Sequence, residues 1–274
     1  MLGTLAGCAA DDGTLAECTA HRSVLRCWDL QLPPALVEPA DDEGVPVAAP
    51  LIVDFHGWQS TADDQRSISG FDRIARAEGA IIAWPEGISE SWNAGPACCE
   101  PASMGGIDDV GFVRAMVADI SNRYPVDADR VYLTGWSNGC AMAQRVAAEA
   151  SELIAATACM SLQLLETPPE AGYDPVPMWV AHGTDDAIIE YGPSEFPGAL
   201  ANLETWRQLN QCTASELTAP VTGTVLTTNT GCTNSAEVVL LSIDGAGHDL
   251  YRDDIPLDAS RTAWEFLNRF PAPG

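Results

Sequence analysis

Lysine is absent from the chain: all 13 basic side chains are arginine, set against 39 aspartates and glutamates, for a formal charge of −26. That absence removes Schiff-base enzymes, P-loop nucleotide binding and Ser–Lys dyads, each of which needs the lysine amine. So few cations also argue against nucleic acid and anionic membranes as partners, because both are bound by neutralising negative charge. No apolar run approaches the roughly 20 residues of a membrane span, so no transmembrane segment is expected. Neither HExxH nor paired CxxC occurs, and the four histidines (His21, His56, His182, His248) are scattered, so neither a metal nor a cofactor is expected. Internal repeats and dividing linkers are lacking too. What is left is a soluble protein suited to neutral or hydrophobic substrates.

Cysteine, by contrast, is plentiful. Nine cysteines without metal-ligand spacing imply an oxidising compartment, outside the cell or in its envelope. Leu5-Ala6-Gly7-Cys8 resembles the lipobox of bacterial lipoproteins, which would make Cys8 a lipid anchor; the segment before it lacks a basic region and is short for a signal peptide. A signal remnant and a chance Ala/Gly/Cys cluster both stay open. Eight cysteines remain, an even number that could pair fully, and Cys18 and Cys27 are close enough in sequence to do so. The small and acidic residues up to 20 read as a flexible leader, and 21–274 as a single domain.

Strand-like and helix-like stretches alternate. Val24, Arg26, Trp28 and Leu30 suggest an early strand, and Leu51-Ile52-Val53-Asp54-Phe55 is an unbroken buried-strand run ending at His56-Gly57-Trp58. Ile68 to Glu78 has helical spacing, and Ala80 to Trp84 is a strand stopped by Pro85. Asp108 caps a helix reaching about Tyr124, with Val110, Val113, Met116, Val117 and Ile120 on one face. Strands follow near Ile154 to Met160 and Met178 to Ala181, then a helix at Leu200 to Leu209, a Thr/Val-rich strand–turn–strand from Thr213 to Ile243, and a closing helix at Leu257 to Phe270. Such alternation predicts an α/β fold with a mostly parallel central sheet and helices on both faces.

The chemistry-bearing stretch is Arg130 to Ala150. Val131 to Thr134 has the composition of a buried strand, Gly135-Trp136-Ser137-Asn138-Gly139 follows, and an Ala-rich helix begins at Cys140. Strand, Gly-x-Ser-x-Gly and helix in succession is a nucleophile elbow, whose glycines leave room for a strained turn that exposes the serine. Two further strand ends carry polar candidates: His182-Gly183-Thr184-Asp185-Asp186 and Asp244-Gly245-Ala246-Gly247-His248. Serine, then aspartate, then histidine is the α/β-hydrolase order. On the residues alone, Asp185 and Asp186 are rivals. Ser137 would attack, His248 would take and return the proton, and an aspartate would hold the imidazole tautomer. Backbone N–H groups of Asn138 and Trp58 would form the oxyanion hole. His56 and His182, each before a glycine at a strand end, read as loop organisers, and His21 as a surface residue.

The motifs also carry a resemblance. Pro50 to Trp58 (PLIVDFHGW), Trp92 to Cys99 (WNAGPACC), Ile107 to Val113 (IDDVGFV), Arg130 to Gly139, His182 to Tyr191 (HGTDDAIIEY) and Gly245 to His248 (GAGH) are similar to the extracellular polyhydroxybutyrate depolymerases and feruloyl esterases. The resemblance implies an α/β-hydrolase fold and a secreted serine esterase. Its substrates would be hydroxyalkanoate polyesters and oligomers, or feruloyl and acetyl esters of plant polysaccharide. It also puts the acid at Asp186. The chain departs from the pattern at Cys140, Ala187 and Glu190, where glycine, proline and proline are usual. Trp58, Gln59, Trp92, Asn93 and Trp136 are the candidate substrate contacts, as aromatic walls and polar groups beside the serine. Cys98 and Cys99 are expected to bridge separately to Cys140 and Cys159, and Cys212 to Cys232 across the Thr-rich segment. A serine peptidase and a non-catalytic binding protein on the same scaffold are the alternative readings.

Overall fold

In the computed structural model, residues 14–37, 47–166, 172–193 and 197–271 are described. Six central strands run parallel: β3 (Ala49–Phe55), β4 (Ile81–Pro85), β5 (Val126–Gly135), β6 (Ala156–Met160), β7 (Met178–Gly183) and β10 (Val238–Ile243). Antiparallel pairs extend both edges: β1 (Thr14–His21) with β2 (Val24–Gln31), and β8 (Ala214–Thr218) with β9 (Thr224–Thr230). The full order is β1-β2-β4-β3-β5-β6-β7-β10-β9-β8.

Strands β3, β4, β6 and β10 are buried along their whole length, as is the second half of β5 from Val131, because helices cover both faces there. Along β3, Leu51, Val53 and Phe55 enter one core and Ile52 the other; along β7, Met178 and Val180 face one way and Trp179 and Ala181 the other. One core is shared with the helices α4 (Asp109–Arg123), α5 (Asn138–Glu149) and α6 (Ala199–Leu209). The other is shared with α3 (Phe71–Glu78) and α7 (Ala259–Leu267), where Trp264 meets Tyr132 edge to face at 5.8 Å. The remaining helices are α1 (Pro34–Val37) and α2 (Ala62–Ser69), the latter opened by a Thr61/Asp64 capping box. Asp108 caps α4 by accepting the Gly111 N–H at 3.1 Å, and the five apolar residues read as its inner face are buried. No helix among the described residues is long and apolar enough to cross a membrane.

Two expectations are corrected here. Residues 14–20 are not leader but strand β1, paired in full register with β2; Cys18 stands opposite Cys27 and is bonded to it. The strand is held from its other side by Glu17, which is almost buried and takes hydrogen bonds from Arg123 and from the Tyr124 hydroxyl (2.8 Å). His21, read as surface, lies 2.9 Å from Asp108.

The second correction concerns cysteine pairing. Cys140 bonds to Cys159 and Cys98 to its neighbour Cys99, while Cys212–Cys232 forms as expected. Helix α5 packs directly on β6, which puts the Cys140 and Cys159 Cα atoms 5.0 Å apart, within bridging range. With those two joined, Cys98 and Cys99 pair with each other among the described residues. Cys8 lies outside the described residues.

Candidate active site

Strand β5 ends at Gly135 and α5 begins at Asn138, so the chain reverses within two residues. Ser137 occupies that turn at φ 54° and ψ −124°, a strained conformation for a residue with a side chain. The flanking glycines make the turn possible. A Cβ on Gly139 would stand 2.2 Å from the Phe55 carbonyl oxygen, and one on Gly135 would stand 2.8 Å from the same oxygen.

Two loops at the same rim of the sheet reach the serine. After β10, His248 places Nε2 2.9 Å from Ser137 Oγ. After β7, Asp186 places Oδ2 2.7 Å from His248 Nδ1. Its Oδ1 accepts the N–H groups of Ile188 and Ile189, both at 2.9 Å. Burial alone would raise the Asp186 pKa, but hydrogen bonds from His182, His248 and the Ile189 amide outweigh it and hold the carboxyl well below the usual range. Asp185 is exposed and contributes no side chain to this array. Of the two rivals the structure brings only Asp186 to the imidazole.

His248 is fixed from behind. Its carbonyl accepts from Trp136 Nε1 at 2.9 Å and from Ser161 Oγ at 2.8 Å, and the Trp136 ring lies 5.2 Å from the imidazole. Ser161 was not singled out from the sequence. Nothing local marks it except its place after a buried strand. His182 organises its loop, donating to the Ile189 carbonyl at 2.8 Å.

The Gly57–Trp58 peptide sits beside the nucleophile: a Cβ on Gly57 would lie 3.6 Å from the Ser137 Cβ. The N–H groups of Trp58 and Asn138 are donated to no backbone acceptor among the described residues. The arrangement can therefore deprotonate a hydroxyl and offers two amides beside it.

The expected substrate contacts divide. Trp58 is 48 % exposed, with its indole N–H donated to the Glu100 carbonyl at 2.7 Å, and Gln59 is exposed. Trp92, expected as a wall, is instead fully buried: it meets Phe55 edge to face at 5.3 Å and donates its Nε1 hydrogen to the His56 carbonyl at 3.0 Å. The Asn138 side chain grips its backbone, accepting the Trp92 N–H at 2.8 Å and donating to the Trp92 carbonyl at 3.2 Å. Asn93 is likewise committed to the loop. Its side-chain amide donates to the Ile107 carbonyl, and its backbone N–H donates to Asp109, which is ion-paired with buried Arg26 at 2.7 Å. Trp136 is half-buried against His248 and serves the imidazole more than an open cleft.

A mostly parallel sheet, helices on both faces and a serine at a strand–turn–helix elbow together make the chain an α/β-hydrolase by fold. Similarity to solved structures agrees: an acetyl xylan esterase from Aspergillus awamori superposes with a TM-score of 0.66 at 16% identity, covering 92% of this chain and 98% of that one.

By sequence the chain is a homologue of carboxylic ester hydrolases. It is 28% identical over 244 residues to feruloyl esterase B of Piromyces equi, covering 82% of this chain and 43% of that protein. It is 34% identical over 182 residues to the putative esterase NocK of Nocardia uniformis subsp. tsuyamanensis, covering 65% of this chain and 50% of that protein. The chain thus spans about half the length of these curated relatives or less. No family model matches it.

Proposed function

We propose that this chain is a serine carboxylic-ester hydrolase, working through an acyl-enzyme on feruloyl or acetyl esters of plant polysaccharide. The observation that carries the proposal is the unbroken relay from Ser137 Oγ through His248 to Asp186, 2.9 and 2.7 Å per link, beside two amides that have no backbone acceptor among the described residues. Ser137 Oγ forms a bond to the ester carbon while His248 Nε2 takes the hydroxyl proton. The former carbonyl oxygen becomes an oxyanion facing the Trp58 and Asn138 N–H groups. Collapse breaks the bond to the alcohol, which leaves with the proton from His248. Water then repeats the sequence, releases the acid and restores the serine. Asp186 holds the proton of the resting imidazole on Nδ1 and stabilises the imidazolium.

The substrate class draws on the printed names of the relatives and on Trp58, whose half-exposed indole suits a flat acyl ring. Four disulfides are compatible with a secreted or envelope location. The same indole could also take a hydroxyalkanoate chain, so the assay includes one.

Treatment with a fluorophosphonate probe is expected to label Ser137 and to label nothing in Ser137→Ala. Turnover of methyl ferulate, p-nitrophenyl acetate, acetylated xylo-oligosaccharide and a hydroxybutyrate trimer then ranks the esters. A folded wild type that resists the probe would favour a non-catalytic binding protein. Preference for the trimer would move the substrate to polyesters.

A further inference from the structure

We infer that His56 is a positioning residue for the oxyanion pocket, holding the Gly57 carbonyl so that the Trp58 N–H of the same peptide faces a substrate oxygen on Ser137. The inference rests on the hydrolytic reading above and adds to it a residue that touches neither substrate nor relay.

The buried imidazole directly follows strand β3 and makes two close hydrogen bonds. Nε2 lies 2.9 Å from the Gly87 N–H, and Nδ1 lies 2.7 Å from the Gly57 carbonyl oxygen. A backbone amide can only donate, so Nε2 must be the acceptor and the proton of the neutral ring must sit on Nδ1. The partners alone thus settle the tautomer. A second proton on Nε2 would set N–H against N–H. Burial opposes it as well, lowering the His56 pKa to about 4. The 3.7 Å approach of Glu86 to Nε2 is therefore not an ion pair at neutral pH.

A trans peptide points its carbonyl and its N–H in opposite directions. Drawing the Gly57 oxygen back into the protein turns the Trp58 hydrogen outward, beside Ser137. The preceding carbonyl is pinned too: His56 O accepts from Trp92 Nε1 at 3.0 Å, with the two rings 4.9 Å apart. Both carbonyls before the oxyanion amide are thus held by ring N–H donors. The loop after β4 must come close to supply the other partner, and a Cβ on Gly87 would stand 2.6 Å from the Ser91 carbonyl oxygen and 3.0 Å from His56 Nε2. An apolar residue could fill the His56 volume. It could not hold the peptide.

The test uses the full chain with His56→Leu, His56→Asn and Trp92→Phe, read by steady-state hydrolysis of p-nitrophenyl acetate and by inhibition with a trifluoromethyl ketone. In the inhibitor adduct Ser137 Oγ bonds to the ketone carbon, His248 takes the hydroxyl proton and the ketone oxygen becomes the oxyanion. Removing an oxyanion donor outright costs about 10²–10³ in kcat, and misplacing a group by ~1 Å about 10². His56→Leu should therefore lose roughly 30- to 100-fold in kcat. KM should stay within about threefold, inhibitor affinity should fall in parallel, and the acid limb of the kcat–pH profile should stay in place. Asparagine, whose amide N–H can occupy the Nδ1 position, should regain most of the loss.

Wild-type kcat in His56→Leu overturns the inference, as does equal impairment of the leucine and asparagine variants. So does a kcat loss without weaker inhibition. If His56→Leu fails to fold by circular dichroism, Trp92→Phe decides. It keeps a ring but frees the His56 carbonyl, and about a tenfold loss in both readouts is expected; unchanged values overturn the inference. A wild type inert to both ester and fluorophosphonate removes the hydrolytic reading, and the inference with it. An active wild type with indifferent variants removes the inference alone.

Discussion

Replacing Asp186 by asparagine isolates the electrostatic part of the relay. Asp186 Oδ1 is committed to the Ile188 and Ile189 N–H groups at 2.9 Å, and an asparagine oxygen can keep both bonds. The new NH2 must then occupy the Oδ2 position, 2.7 Å from His248 Nδ1. Two donors cannot share that contact, so the imidazole has to present a lone pair on Nδ1 and carry its proton on Nε2, facing Ser137 Oγ. In that tautomer it cannot accept the serine hydrogen. Loss of the correct tautomer in such a relay costs about 10⁴ in kcat, or about 5 kcal/mol of transition-state stabilisation. The Trp58 and Asn138 amides proposed as oxyanion donors are untouched, so KM should change far less than kcat. The assay is kcat and KM on p-nitrophenyl acetate for the wild type, Asp186→Asn and Asp185→Asn, with melting temperatures to show that each is folded. Exposed Asp185 faces no member of the relay, and its variant should stay within about twofold of wild type, the range of an ordinary surface change. An Asp186→Asn enzyme within tenfold of wild type, or an equal loss in Asp185→Asn, would refute the reasoning.

Three more outcomes follow from other parts of the structure. Asp54 is fully buried on β3, accepting from Gln65 Nε2 at 2.7 Å and Trp84 Nε1 at 3.2 Å, and burial pushes its pKa from 3.8 up to about 7. The folded state therefore keeps a proton that the unfolded chain releases near pH 4. This contribution is complete below pH 4 and declines by on the order of 4 kcal/mol as pH rises to 7. Asp54→Asn should melt with a flatter pH dependence between pH 4 and 8; identical slopes would sink this account. Breaking Cys212–Cys232, which closes 20 residues around the β8–β9 hairpin, with a double serine variant should destabilise the protein by about 3 kcal/mol in denaturant titrations. No shift in midpoint would show that the bond adds nothing to stability. Trp58→Ala keeps the backbone amide and deletes the exposed indole, so KM for methyl ferulate should rise about tenfold more than KM for p-nitrophenyl acetate. Equal changes for the two esters would take Trp58 out of acyl recognition.

Much of the architecture was legible because it is written in short-range pattern. The apolar runs of β3 and β7, and the helical stripe from Val110 to Ile120, each declare their geometry within one element. The Ser137 elbow is likewise local, since its two glycines answer clashes with the adjoining strand. Strand β1 was not legible. Its sequence TLAECTAH has no run of large β-branched or aromatic residues, and it exists because β2 offers an edge and Cys27 a bond. Helix α2 escaped for a related reason: its polar sequence has no long apolar stripe, and its start is marked only by the Thr61/Asp64 box. Trp92 misled because a tryptophan beside a nucleophile reads the same whether its ring faces solvent or lies under the β3 terminus.

By itself, the sequence determined which groups are present and in what order: a serine at a glycine-flanked turn, acids and a histidine after later strands, eight cysteines in reach of pairing, and no lysine. Only the tertiary structure decided who meets whom. It brought Asp186 and not Asp185 to the imidazole, joined Cys140 to Cys159 rather than to the loop of Cys98 and Cys99, and buried the Trp92 ring against Phe55 rather than leaving it as a wall. The physical reason is range. Backbone conformation follows from neighbours a few residues away, whereas the relay joins atoms 111 and 62 residues apart in the chain, and only the packed sheet brings them within hydrogen-bond distance.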